Sequence, residues 1–115
     1  MKSFDDYQKK ALLTDKYPKS RKKRHVDAII YSVLGLTGEA GEAAEKIKKL
    51  LRDKKGVIDD EAYRLIVLEL GDVLWYVAHA SSRLGLPLSE VARLNIEKLA
   101  SRQRRGKIRG SGDRR

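Results

Sequence analysis

The stretch Leu65-Ile66-Val67-Leu68-Glu69-Leu70-Gly71-Asp72-Val73-Leu74-Trp75-Tyr76-Val77-Ala78 is apolar nearly all round and carries two acids. Its periodicity is helical, and apolar residues on every side predict a central helix rather than a surface one. Glu69 and Asp72 stand three residues apart, so both carboxylates leave the helix on one face. Neither has a Lys or Arg three or four positions away. Unpaired carboxylates in apolar surroundings are costly and are normally neutralised, paired or bound to a metal. The partner has to come from another segment.

Upstream, the pattern predicts one long helix from Val26 to Lys54, with Ala28 to Leu34 as core material. Gly35, Gly38 and Gly41 fall inside it at steps of three. Each costs about 1 kcal/mol of helix propensity against alanine. Such a loss points either to a backbone approached closely by a neighbour or to a kink. Glu39 and Glu42 in the same stretch repeat the i, i+3 spacing of Glu69 and Asp72. Glu42 has Lys46 one turn later, an ordinary ion pair; Glu39 has no basic residue within helical reach. Two acid pairs facing each other would repel unless a divalent cation sat among them. Ligands that are all oxygen, with no histidine at helical spacing, suit Mg²⁺ or Mn²⁺ rather than zinc. A di-iron carboxylate bundle would need Glu-x-x-His pairs, which neither acid pair forms.

The remaining segments complete an all-α chain. Ser3-Phe4-Asp5-Asp6 reads as a helix start, followed by a helix to Lys16 with Phe4, Tyr7, Ala11 and Leu12 inside. Asp59-Asp60-Glu61 opens the helix that contains the first stretch and runs to Arg83. A fourth helix, Leu88 to Arg104, should bury Leu88, Val91, Leu94 or Asn95, and Leu99. No segment alternates as a strand does. The fold expected is a four-helix protomer in a single domain, residues 1–103, its helices packed around a carboxylate metal site. A basic, glycine-containing tail spans 104–115, either a disordered arm or a lid that closes over phosphate.

The 115 residues contain no cysteine, which removes disulfides and thiolate metal sites, and they carry a net charge of +10. Lys16 to Arg24 and Arg102 to Arg115 each sum to +6, so the rest of the chain sums to −2. Basic character confined to a connector and a tail argues against a nucleic-acid surface on the body, though it suits contact with a small polyanion. No apolar run has the length of a signal or membrane segment, so a cytoplasmic protein without membrane contact is expected.

Asn95, Lys98 and Arg102 form one stripe of the fourth helix, at i, i+3 and i+7. Cationic and amide donors on one stripe either face a bound polyanion or form a solvated polar face with one buried, hydrogen-bonded amide. Trp75, Tyr76 and Tyr31 are either plain core or a stacking wall for a base. His79, alone on an apolar helix, reads as a satisfied core residue.

Glu39-Ala-Gly-Glu42 followed after 26 residues by Glu69-Leu-Gly-Asp72 resembles the ExxE…ExxD signature of the MazG-like, all-α nucleoside triphosphate pyrophosphohydrolases. The surrounding Gly35-Leu36-Thr37-Gly38 and Val73-Leu74-Trp75-Tyr76 are similar to that family too. The resemblance extends through Asn95-x-x-Lys98 and Arg102 to Arg105-Gly106-Lys107 and Gly110-Ser111-Gly112-Asp113-Arg114. It implies hydrolysis of nucleoside or deoxynucleoside triphosphates to the monophosphate and pyrophosphate. It implies Mg²⁺ held by Glu39, Glu42, Glu69 and Asp72, which also form the catalytic set. Asn95, Lys98, Arg102 and Trp75 would bind substrate, and the assembly would be a homodimer or homotetramer. A nucleic-acid-binding helical module and a non-catalytic nucleotide sensor are the competing readings.

Overall fold

Helices begin where a side chain can accept the free amides of the first turn. The Asp6 N–H donates to Ser3 Oγ at 3.1 Å, and Asp5 and Asp6 fill the first turn of α1 (Phe4–Ala11). His25 Nδ1 accepts the Asp27 N–H at 3.1 Å ahead of α2 (Val26–Asp53). Asp59 Oδ1 accepts the Ala62 N–H at 2.8 Å ahead of α3 (Asp60–Arg83). The fourth helix, α4 (Leu88–Arg104), opens after Pro87. The computed structural model describes every residue of 1–115 except Lys23; that part of the basic connector lies outside the described residues. Among the described residues there is no strand, and the fold is all-α as expected.

The first helix is shorter than its sequence pattern suggests. It gives way at Leu12–Thr14 to a 3₁₀ turn, in which Thr14 Oγ1 donates to the Ala11 carbonyl at 2.7 Å. A hydroxyl that bonds the nearby backbone competes with helix propagation.

The two long helices, α2 and α3, form a hairpin of roughly 42 and 36 Å at 1.5 Å per residue. They pack on each other over much of that length, while α1 and α4 pack on α3 and on one another. No part of α4 approaches α2. At Gly35 the two helices approach closely: a Cβ there would overlap the Tyr76 ring. Close approach is therefore its reason for being glycine. Gly38 and Gly41 have open space beside them within the protomer, and α2 runs through all three without a break.

Gln8 joins α1 to the turn between α3 and α4. Its amide nitrogen donates to the carbonyls of Ala78 (3.3 Å) and Leu86 (3.1 Å), and its oxygen accepts the Leu88 N–H at 2.9 Å. Gly85, at φ +76°, makes that turn possible without a Cβ penalty. Asp5 adds a second tie, accepting from the N–H and hydroxyl of Ser89.

The expected core is only partly covered. Ala78 and Leu88 are the fully buried apolar side chains among the described residues, whereas Leu34 on α2 and Leu68 on α3 are 67% and 55% exposed. Val91, Leu94, Asn95 and Leu99 on α4 are exposed as well. Phe4 faces outward and the polar Gln8 takes the inner place on α1. The cause is architectural, because α4 leaves the hairpin instead of lying along it. The accessible surface is 9066 Å², against about 6,400 Å² for a compact monomer of this mass. The radius of gyration, 16.9 Å, likewise exceeds the roughly 13 Å of a compact chain of this length. Apolar periodicity here marks surfaces that one chain leaves open.

Candidate active site

Antiparallel packing of α2 on α3 sets Glu39 opposite Glu69 and Asp72. One carboxylate oxygen from each of the three lies within 4.8 Å of the others. Glu39 and Glu69 are half-buried and Asp72 is exposed, so the acids sit at a rim rather than in the apolar interior that their sequence context suggested. The Glu39 carboxyl is held above the usual glutamate range, first by partial burial and then by the negative charges of Asp72, Glu69 and Glu42. Glu42 is exposed and stands outside the converging trio.

Lys46 is the partner that sequence spacing assigned elsewhere. Instead of pairing with Glu42 one turn away, it reaches across the hairpin to Glu69 Oε1. That bond, with Glu69, Glu42 and Glu39 nearby, holds its ammonium above the ordinary lysine range although desolvation opposes it. Spacing along one helix gave no sign of this pair, since the two residues are 23 positions apart.

A cleft of about 290 Å³ opens beside the acids, lined by Thr14, Tyr17, Glu39, Asp72, Trp75 and Tyr76. Trp75 is fixed by its indole N–H, which donates to Thr14 Oγ1 at 2.9 Å and to the Ala11 carbonyl at 3.1 Å. Tyr17 packs on Tyr31 with ring centroids 4.0 Å apart. Thr14 and Tyr17 come from the segment between α1 and α2, where the sequence pattern predicts a helix as far as Lys16. Their contribution depends on how that segment folds back, and no local pattern announces it.

The stripe on α4 lies elsewhere. Lys98 Nζ and Arg102 Nη2 both donate to Asp113 Oδ1, each at 3.1 Å, and Arg102 also bonds the Gly112 carbonyl. These two cations hold the Asp113 carboxyl below the usual aspartate range. Arg102 is buried, and its Nε has no hydrogen-bond partner among the described residues. Asn95 is exposed on the same helix. The tail folds onto the end of α4: Arg105 donates to the Arg115 carbonyl, and Arg115 donates to the carbonyls of Lys107 and Gly112. Within one chain, Lys98 and Arg102 meet each other on Asp113, and their helix does not reach α2.

Residues 31–106, which hold the acid trio, both glycine-flanked acid pairs and the α4 stripe, match the family described as MazG nucleotide pyrophosphohydrolase domain. The chain belongs to this family. A relative, "Gene 37 protein" of Mycobacterium phage L5, is 48% identical over 111 residues, covering 96% of this chain and 97% of that protein. No solved structure matches.

The acids of this MazG domain fit a hard divalent cation. Oxygens sharing a Mg²⁺ at 2.0–2.1 Å stand about 3–4 Å from one another, and the trio is already close to that spacing. All donors are carboxylate oxygens, the set that Mg²⁺ and Mn²⁺ prefer. The upward push on Glu39 is the electrostatic cost that such a cation would relieve. No helix among the described residues is long and apolar enough to cross a membrane.

Proposed function

We propose that this MazG-family chain hydrolyses nucleoside or deoxynucleoside triphosphates to the monophosphate and pyrophosphate, with Mg²⁺ or Mn²⁺ held by Glu39, Glu69 and Asp72 and assisted by Glu42. The observation that carries the reading is the convergence of three carboxylates on the edge of a cleft with aromatic walls. A bound cation would neutralise phosphate charge and make water at the site more acidic. The chain's own groups do the rest. Trp75, with Tyr17 and Tyr76, offers ring faces to a base. One of the carboxylates accepts the proton of the attacking water as the anhydride between the α and β phosphorus atoms breaks. Lys98 and Arg102 lie away from the acids within one chain; supplied by a second copy, they would take charge developing on the departing pyrophosphate, exchanging the Asp113 carboxylate for phosphate oxygens, and Asn95 would orient phosphate or sugar. Such an enzyme would act in the cytoplasm, where its substrates are.

The test is pyrophosphate release from a panel of nucleoside triphosphates with Mg²⁺, with Mn²⁺ and with EDTA. Release that requires the cation is expected. A protein that binds triphosphates without releasing pyrophosphate is a sensor, and one that binds only nucleic acid is neither.

A second copy of the chain is the partner we propose for the open apolar faces. The excess surface, some 2,700 Å² over a compact monomer, is of the size that obligate homodimers bury. Light scattering on the purified protein should give two or four times the 13.1 kDa chain mass. A 13.1 kDa particle at micromolar concentration would remove the homodimer or homotetramer from the proposal.

A further inference from the structure

A buried chain of hydrogen bonds lies behind the cleft, and hydrolysis as proposed above makes no use of it. Ser32 on α2 donates to His79 Nδ1 on α3 at 2.6 Å. On the other side of the ring, His79 Nε2 faces Asp15 Oδ1 at 3.3 Å. An ionised aspartate only accepts, so Nε2 carries the proton and Nδ1 accepts from the hydroxyl. Asp15 in turn accepts the Tyr17 N–H at 3.0 Å and pairs with Arg83 at 2.8 Å, and Arg83 also bonds the Tyr17 carbonyl. The order serine, histidine, aspartate has the outline of a hydrolytic triad. Ser32 is fully buried and His79 is 1% exposed, so no substrate reaches the hydroxyl. The chain is a fixture, and what it fixes is the cleft.

Three segments meet at His79: α2 through Ser32, α3 through the histidine itself, and the α1–α2 connection through Asp15. The imidazole face also supports the Trp75 indole, with centroids 5.0 Å apart and planes at 21°, an offset stack. Tyr17 meets the same ring edge-on at 6.3 Å. Trp75, Tyr17 and Thr14 are cleft walls, and each is bonded or stacked to this network or to Trp75. Burial and the nearby Arg83 hold the imidazole below its ordinary pKa, against the pull of Asp15, which favours the neutral ring that this bonding pattern needs. The acid trio, by contrast, has no bond to any member of the chain among those described above.

We infer that His79 is a positioning residue for nucleobase recognition: through Ser32 and Asp15 it registers Trp75, Tyr17 and Thr14 against Asp72 and Glu39. The inference rests on the cleft taking a nucleotide, as proposed above. Loss of the network should then loosen contacts with the base and leave contacts with the phosphates alone.

The test uses His79→Phe, which keeps an aromatic face under Trp75 and cuts both hydrogen bonds, beside Ser32→Ala and Asp15→Asn, which each weaken one link at less risk to folding. For the triphosphate that the wild type hydrolyses best, KM should rise about tenfold in His79→Phe and less in the other two, with kcat within about threefold. Inhibition by tripolyphosphate, which has the phosphates and no base, should not change. Trp75 is the chain's one tryptophan, so its fluorescence reports the wall directly. Quenching by an α,β-methylene nucleoside triphosphate should shift to higher concentration in step with KM. Unchanged KM and quenching in the folded variants would overturn the inference, as would equal losses toward tripolyphosphate and nucleotide, which mean a general collapse of the site. If His79→Phe does not fold, Ser32→Ala and Asp15→Asn decide by the same criteria. A wild type that neither hydrolyses nor binds any triphosphate removes the functional reading itself, a result distinct from an active wild type with indifferent variants.

Discussion

Asp72→Asn is expected to lower pyrophosphate release more than about a hundredfold, since even groups that only orient metal ligands cost 10- to 100-fold when removed. The same substitution should leave the fold intact and raise the melting temperature in EDTA. Asp72 is exposed, so its replacement opens no cavity, and it is the foremost of the neighbouring charges that push the Glu39 carboxyl up. A carboxyl whose pKa is higher in the folded than in the unfolded chain stabilises the fold while protonated, and that contribution is lost as pH rises through the folded value. The metal-free wild type should therefore lose stability as pH climbs above the ordinary glutamate range, about 4.3. The variant should lose less, so the gap between the two melting curves should widen toward neutral pH and close again in saturating Mg²⁺. Wild-type turnover in Asp72→Asn would dismiss the carboxylate site; an equal gap at all pH values would dismiss the repulsion argument.

Mg²⁺ itself should stabilise the wild type strongly. A cation that binds only the folded state adds RT ln(1 + [L]/Kd), about 2.7 kcal/mol at one hundred times Kd. For a domain of this size that is on the order of 10 °C in melting temperature. The trio is assembled by contact between two helices, so the unfolded chain has no comparable site and the full increment should appear. Differential scanning fluorimetry across a Mg²⁺ series, with Na⁺ at matched ionic strength as control, measures it. A flat series, with or without a non-hydrolysable triphosphate, is incompatible with a metal site built from Glu39, Glu69 and Asp72.

How far these results were legible beforehand differs from feature to feature. The helices were legible because their signals are local: Asp59 precedes α3 as a cap, Gly85 takes the positive φ of a turn, and neither needs a distant partner. The pairing of acids was legible for the same reason, since i, i+3 spacing puts two carboxylates on one face whatever else the chain does. Apolar periodicity was legible but ambiguous. It marked which faces avoid water without saying what covers them, and α3, read as a central helix, has Leu68 and Leu70 more than half exposed.

The amino-acid sequence alone thus determined an all-α chain, the limits of its long helices to within a few residues, its place beside the MazG family, and two acid pairs lacking local counter-charges. Only the tertiary structure decided which acids converge, that Lys46 answers Glu69 across the hairpin, and that Asp113 shares Lys98 and Arg102. It also decided that Gln8, Thr14 and Tyr17 shape the core and the cleft, and which partners satisfy His79, already read from sequence as a core residue. The physical reason is the range of each interaction. Caps, turns and helical spacing act within a few residues and leave a periodic trace, whereas Gln8 meets Leu88 across 80 positions and His79 meets Ser32 across 47. Bonds of that reach depend on how helices cross, and one chain's pattern does not encode the crossing in any local period.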